Sequence, residues 1–160
     1  MIMKKTFFIL IAVVFVSLSY SQSKKNNICI AQTDAEKILG QPAQLTQNSS
    51  EVKNGIDQQK CTYTANAKEN KISNLYFMFE KYNNAKSAHK AYQNILSQNA
   101  NMQELKRIEN IGDEAFIHTD DANFLMIICR KENKMLRLKV NKLTSTTSID
   151  EMKKTAMKLL

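Results

Sequence analysis

Two carboxylates follow a glycine in the stretch IGDEAF, residues 111–116. Asp113 and Glu114 could act as general acid and base, but this chemistry also needs a cleft and shifted pKa values, which no local pattern supplies. Gly112 can adopt a positive φ, and an aspartate after it can bond its own backbone two residues on, as in turns that start a strand. We therefore predict a structural corner here, with no catalytic residues.

The two histidines are the other candidates for acid–base or metal chemistry. His89 lies on the border of the apolar face of a predicted helix, where a histidine that covers a sheet edge is the ordinary interpretation. His118 precedes Asp120 and Asp121, and this H-x-D-D stretch could hold a cation in a loop. Turn formation explains the aspartates equally well, and a metal site needs further ligands from elsewhere. We predict no metal site and no cofactor.

Motifs for nucleophilic or cofactor chemistry are missing from the sequence. It contains no P-loop, zinc-protease helix, GxSxG elbow or dinucleotide fingerprint. Cys129 lies in the apolar run FLMIIC, and an apolar environment raises the pKa of a thiol, which disfavours a Cys-His nucleophile. The alternative function is therefore a small hydrolase or metal-dependent enzyme that uses His89, His118 or Asp113.

A cluster of basic residues is the one charge pattern that predicts a binding surface. In a hairpin, several of these side chains would share an exposed face and form a patch for phosphate-bearing lipid or polymer, or for an acidic protein. Lysines near a sheet edge also deter aggregation between sheets, and this second interpretation stays open. The cluster consists of Arg130, Lys131, Lys134, Arg137, Lys139 and Lys142.

The N-terminus, MIMKKTFFILIAVVFVSLSYSQ, has the features of a signal peptide. Two lysines precede an apolar run, and a small-x-small site follows it, so we predict a signal peptide over residues 1–21. The apolar run is shorter than the about 20 residues that span a bilayer, which favours a cleaved signal peptide over the alternative of a retained anchor, and no integral membrane segment is expected after cleavage. The mature chain would begin with a disordered lead-in at residues 22–28 and be periplasmic or secreted.

The charge balance limits the partners of such an exported chain. The sequence has 23 basic and 15 acidic residues, a net charge of +8, of which about +6 remains without residues 1–21. A moderately basic exported protein can bind lipid headgroups, anionic wall polymers or an acidic protein, whereas export argues against nucleic acid. The length suits one domain, which we predict over residues 29–160.

All three cysteines lie in the predicted mature chain, where export makes disulfides permissible. We favour a bond between Cys29, which precedes the first predicted helix, and Cys61, which opens a predicted strand. Cys129 is typical of a small buried hydrophobe. The alternative is three free, buried thiols.

Three helices are predicted from their ends and their periodicity. The first starts with a T-x-x-E capping box at Thr33 and ends at Gly40. Asn84 caps the second, in which alanines and larger apolar residues recur at helical spacing. The third starts with an S-x-x-E capping box at Ser148.

Apolar patterns predict five strands, of which the one at residues 124–130 is apolar on both faces and therefore central, with a weaker signal around Leu45 before an Asn54-Gly55 turn. The order is α-β-β-α-β-β-β-α, and the strands connect mostly as hairpins. This pattern indicates an α+β domain in which helices cover an antiparallel sheet. The predicted strands are residues 61–65, 72–82, 115–118, 124–130 and 135–140.

The succession of these motifs resembles a group of small exported bacterial domains. The motifs are Cys29 before the first helix, a C-x-Y strand at Cys61, an alanine-rich helix and the element I-G-D-E-A. The group comprises lipoproteins and sensor-type domains, mostly of unknown function, with a G-x-G-D-x-A element and paired cysteines. Asn110 stands in place of the first of these glycines, and there is no lipobox. The resemblance implies a bond between Cys29 and Cys61 and carries over no catalytic residues.

These observations together favour a binding function over catalysis. Catalytic motifs are missing, and the basic cluster offers a surface for anions. We expect an exported, non-catalytic binding or sensor-like module that docks an envelope component, a ligand or a partner protein. No oligomeric state is predicted.

Overall fold

The computed structural model describes residues 28–65, 72–100 and 104–160. The predicted signal peptide and all but Ile28 of the predicted lead-in lie outside these residues. The helices are α1 (Gln32–Leu39), α2 (Ala85–Gln98) and α3 (Ile149–Leu159). The strands are β1 (Ala43–Lys53), β2 (Ile56–Ala65), β3 (Asn74–Lys81), β4 (Leu105–Arg107), β5 (Glu114–Thr119), β6 (Leu125–Lys131) and β7 (Lys134–Val140).

The seven strands form one antiparallel sheet in the order β1-β2-β3-β7-β6-β5-β4. The predicted α+β class, an antiparallel sheet covered by helices, is confirmed. The elements follow the predicted order, with β1 and β4 added to the five predicted strands. The signal for β1 is weak because ten of its eleven residues are exposed, so no alternation of apolar residues marks it.

One face of the sheet is buried under α1 and α3, and we call it the α1/α3 face. Every second residue of each central strand points into this layer, as the two-residue period of a strand requires. Helix α1 packs on β1, β2 and β3, whereas α3 packs on β6 and β7 and against α1. The resulting core includes Leu75, Phe77, Ile127, Leu136 and Leu138.

The opposite face is covered only in part, by α2, and we call it the α2 face. Ala88 and Tyr92 of α2 pack on Phe116, Ile128 and Met135 of the sheet. Helix α2 lies over β6 and β7, and no other described helix packs on this face. The strands β1 to β3 therefore have an uncovered surface on this side.

The helix ends agree with those predicted from the sequence, except at the start of α1. The predicted capping box at Thr33 is wrong, because Ala31 is the N-cap and its carbonyl accepts the first helical hydrogen bonds. At the other end, Gly40 adopts the predicted left-handed conformation, with φ of 67°. The side chains of Asn84 and Ser148 cap α2 and α3, as predicted.

A disulfide bond joins Cys29 to Cys61, with their Cα atoms 6.0 Å apart, and this confirms the favoured pairing. It fastens the chain before α1 to the α1/α3 face of β2. Cys129 is a free thiol that is buried in the same layer. The described residues include no helix that is long and apolar enough to cross a membrane.

Candidate functional site

The alternation of strands β6 and β7 divides the predicted basic cluster between the two faces of the sheet. Arg130 lies opposite Met135, on the α2 face, whereas Lys131 lies opposite Lys134 in the next pair of residues. Successive side chains of a strand point to opposite faces, so neighbours in sequence have different surroundings. The six residues therefore do not form one patch.

Two arginines of the cluster lie on the α2 face, and acidic residues form ion pairs with both of them. Arg130 is buried, and its guanidinium lies 3.0 Å from Asp113 Oδ2 and 3.3 Å from Glu114 Oε1. Arg137 donates to Glu80 Oε2 over 2.7 Å. Arg130 is therefore buried away from the predicted exposed patch, and Arg137, which is partly exposed, pairs with the buried Glu80.

The remaining members of the cluster are lysines at separate places. Lys139 lies over the ring of Phe124, with Nζ 5.4 Å from its centroid. Lys142 is exposed and follows β7, and its carbonyl accepts a hydrogen bond from Ser73. Only Lys131 and Lys134 lie side by side.

A third lysine, Lys81, extends this pair into a row. Lys81 of β3 is opposite Lys134 of β7, which is in turn opposite Lys131 of β6. Directly opposite residues of antiparallel strands share a face and have Cβ atoms about 5 Å apart. We call these three residues the lysine row. It lies at one end of the α1/α3 face.

No described acidic group forms an ion pair with any side chain of the lysine row. Lys81 and Lys131 are exposed, and Lys134 is half-buried. The one carboxylate in the same cross-strand row is Asp57, which lies opposite Lys81. Like charges directly opposite each other are destabilising, so the lysine row lowers the stability of the sheet that carries it.

A groove of about 290 Å³ adjoins the lysine row. Its lining includes the apolar residues Ile28, Val52 and Phe79 together with the charged residues Lys81, Glu51 and Asp57. Val52 is 64% exposed and Ile28 is 36% exposed, although both are apolar. Because Cys29 is bonded to Cys61 of β2, the disulfide holds the neighbouring Ile28 at this end of the sheet. We call this cavity the groove.

The lysine row and the groove together form an amphipathic site. One half offers three positive charges, and the other offers apolar surface that is open to solvent. The sequence could reveal Lys131 and Lys134, but it gives no indication of Lys81 or of the groove, because these residues meet only through strand pairing. The arrangement can hold an anionic group beside an apolar one.

IGDEAF forms the predicted corner that leads into β5. Gly112 has φ of 63°, and a Cβ atom there would lie 2.4 Å from the carbonyl oxygen of Arg130. The backbone N–H of Asp113 donates to that same carbonyl over 2.7 Å. The Asp113 side chain does not bond its own backbone as expected, because it accepts hydrogen bonds from Arg130 and from the N–H of Glu132. The corner is therefore tied to the β6–β7 hairpin.

Glu114 joins the corner to α2. His89 Nδ1 lies 2.6 Å from Glu114 Oε1, and Gln93 donates to Glu114 Oε2 over 3.4 Å. Asp113, Glu114, Arg130 and His89 thus form a connected set of charged and polar groups, which we call the corner network. A cavity of about 420 Å³ opens beside it, lined by Asp113, Glu114, Gln93 and neighbouring residues. The sequence does not reveal this contact between α2 and β5.

His118 and the loop that follows it serve the fold. The His118 ring is buried and lies edge-on to Phe124, with centroids 4.8 Å apart. The Asp120 carboxylate accepts hydrogen bonds from the side-chain amide of Asn123 and from three backbone N–H groups, and these hold its pKa well below the usual range. The described residues contain no group of three or more side chains that could bind a metal ion.

Cys129 has the environment of an unreactive thiol. Burial raises its pKa to about 12, so the thiol keeps its proton at neutral pH.

Comparisons with protein-family models, with curated proteins and with solved structures found no match to this chain.

Proposed function

We propose that this chain is an exported, non-catalytic binding module that docks an anionic envelope component on the lysine row. The observation that supports this most strongly is that three lysines lie in one cross-strand row without a described ion pair. The two carboxylates of the corner network, Asp113 and Glu114, both pair with Arg130, and the lysine row has no such partner among the described residues. Its ligand would supply the missing negative charge.

The chemistry of the lysine row favours phosphate groups of a lipid or a polymer. Each lysine near an anionic surface contributes about 1 kcal/mol to binding, so three lysines correspond to on the order of 100-fold in affinity. Ligand binding would also relieve the repulsion between the paired lysines. Export is supported by the disulfide and by the N-terminal residue pattern.

Vesicle binding tests the proposal. The probes are vesicles of phosphatidylcholine with phosphatidylglycerol, vesicles of phosphatidylcholine alone, and soluble polyphosphate. A row variant with three Lys→Gln changes is compared with a control variant that removes the same charge from α2 and β4. The row variant changes Lys81, Lys131 and Lys134, and the control variant changes Lys86, Lys90 and Lys106.

We expect the natural protein and the control variant to bind the anionic probes, and the row variant to lose on the order of 100-fold in affinity. Binding of vesicles alone identifies a lipid ligand, and binding of polyphosphate alone identifies a polymer. Equal losses in the two variants would mean that binding depends on net charge only, and the proposal would be wrong. Absence of binding to every anionic probe would also overturn it.

A second candidate function is a small hydrolase, and one contact favours it. The Nδ1 atom of His89 is held 2.6 Å from Glu114, beside the cavity of the corner network. A carboxylate that orients a histidine in this way is found where histidine acts as a general base. Turnover of ester or phosphoester substrates that is abolished by His89→Gln, and not by His118→Gln, would support this function over the binding module.

A further inference from the structure

We infer that the groove takes a single unbranched alkyl chain, so that the ligand of the lysine row is an anionic amphiphile. This inference rests on the proposed function, because it extends the same site. The inference specifies the apolar part of the ligand, which the charges of the lysine row do not determine.

The walls of the groove are the first reason. Ile28 and Val52 leave large parts of their apolar side chains in water, and the buried Phe79 also lines the groove. Apolar side chains that are exposed next to one another mark binding sites more often than single ones do. An alkyl chain in the groove would remove this apolar surface from water.

The position of the groove relative to the charges is the second reason. Val52 lies opposite Asp57, which lies opposite Lys81, so the apolar wall and the lysine row belong to one cross-strand line. Neighbouring strands are about 4.8 Å apart, so the wall lies roughly 10 Å from the first lysine. Asp57 occupies the position between them and would direct an anionic head group towards Lys134 and Lys131. One short amphiphile can therefore reach both halves of the site.

Gln59 is the third reason, because this polar residue lines the groove and its side chain is already engaged within the protein. The Gln59 amide donates to Asn48 over 2.6 Å, whereas the Gln58 side chain points to the other face of the sheet and donates to Glu80 over 3.0 Å. A peptide in the groove would need partners for its backbone groups, whereas an alkyl chain needs none. The groove therefore suits an alkyl chain better than an extended acidic peptide.

A series of alkyl phosphates tests the inference by calorimetry, with inorganic phosphate and butyl, hexyl and octyl phosphate below their micelle concentrations. Complete burial of one methylene group raises affinity about fourfold. We expect affinity to rise between about twofold and about fourfold per methylene, until the groove is full.

Two substitutions show where the alkyl chain binds. Val52→Ser removes an apolar wall of the groove, and Ile72→Ser makes the same kind of change at another exposed apolar residue. Both positions are largely exposed, so the fold is expected to be kept, and thermal unfolding checks this. We expect Val52→Ser to weaken the dependence on chain length and to lower the affinity for octyl phosphate. Ile72→Ser should change neither.

The outcomes separate this inference from the proposed function. A chain-length dependence that Val52→Ser reduces supports the inference. Equal affinity for all four phosphates overturns the inference and leaves the anion-binding function in place. A chain-length dependence that Val52→Ser does not affect also overturns it, because the alkyl chain then binds elsewhere. If the row variant binds every phosphate as tightly as the natural protein does, both proposals fail.

Discussion

The corner network and the lysine row carry similar charged residues a few positions apart, yet only one of them is neutralised. Arg130 and Lys131 are adjacent on β6 and face opposite sides of the sheet. Arg130 is held by two carboxylates and by the carbonyl of Glu132. The lysine row has no comparable partners among the described residues.

This difference separates a structural role from a binding role. Buried charges must be paired, because an unpaired charge in the interior is costly, and the corner network satisfies this requirement. Exposed charges can remain unpaired at little cost in water, so they stay available for a ligand. Changes at the corner network should therefore act on folding, and changes at the lysine row should act on binding.

The largest expected effect is a loss of folding at alkaline pH, because it involves several groups in the interior at once. Burial, and next the negative charge of Glu114, raises the pKa of Tyr92 from 10.0 to about 12. Burial, and next the charge of Glu80, raises the pKa of Tyr82 to about 12, and burial does the same for Cys129. The lysine row is not involved.

The sign of this effect follows from the raised pKa values, since the folded state holds these protons more tightly than the unfolded state does. The protonated side chains make their full contribution to the free energy of unfolding below a pH of about 9, and this contribution is lost as the pH rises towards about 12. Denaturant unfolding as a function of pH measures it. Tyr92→Phe should reduce the loss, and Tyr76→Phe, at an exposed position, should not. An unchanged alkaline limit in Tyr92→Phe would contradict this assignment.

Gly112→Ala is expected to have the next largest effect. The left-handed conformation costs a non-glycine residue roughly 1 to 2 kcal/mol, and the new Cβ would also meet the Arg130 carbonyl oxygen at 2.4 Å. We expect about 3 to 4 kcal/mol less stability in denaturant unfolding. Gly55→Ala is the control, because Gly55 also has a positive φ but its nearest neighbour lies 3.4 Å from the new Cβ. Equal losses in the two variants would refute the role of the close contact.

Arg130→Met compares the two charged regions directly. It leaves Asp113 and Glu114 without their guanidinium, and we expect a loss of about 2 to 3 kcal/mol, less than for a fully buried pair because both acids are partly exposed. Lys131→Met at the adjacent position should change stability by less than about 0.5 kcal/mol. Similar losses at both positions would show that the comparison is wrong.

The row variant should have the smallest effect on stability, and in the opposite direction. Removal of the charges of Lys81, Lys131 and Lys134 relieves two like-charge pairs and removes the opposite-charge pair of Lys81 with Asp57, so we expect a net gain of about 0.5 kcal/mol. The gain should shrink at high salt, because exposed charges are screened. Thermal unfolding at two salt concentrations measures both effects, and a marked loss of stability would mean that the lysines have structural partners.

Most of the fold follows from local signals in the sequence. Asn84 and Ser148 start their helices as predicted, β2 and β7 have an alternation typical of half-buried strands, and β6 has the continuous apolar run of a strand that is buried on both faces. The predicted start of α1 is wrong because the N-cap is Ala31, whose backbone carbonyl accepts a hydrogen bond at the helix start and whose side chain cannot form a cap. Strand β1 has no such signal, because it is held by pairing with β2 and buries almost nothing.

The candidate site follows from the sequence only in part. The sequence identified the basic cluster, but strand alternation divides it, and the engagement of Arg130 and Arg137 depends on acids 16 to 57 positions away. Lys81 joins the site through pairing with Lys134, which is distant in sequence. Such contacts become visible only once the register of the sheet is known.

The most direct test of the binding site is to map the backbone amide resonances of the described residues while octyl phosphate is added. We predict that the resonances that move belong to the groove and the lysine row, among them Val52, Phe79, Lys81 and Lys134, and that those of the corner network stay in place. Shifts centred on residues 107–114, beside the other cavity, would contradict this account and would direct attention to His89 and Glu114.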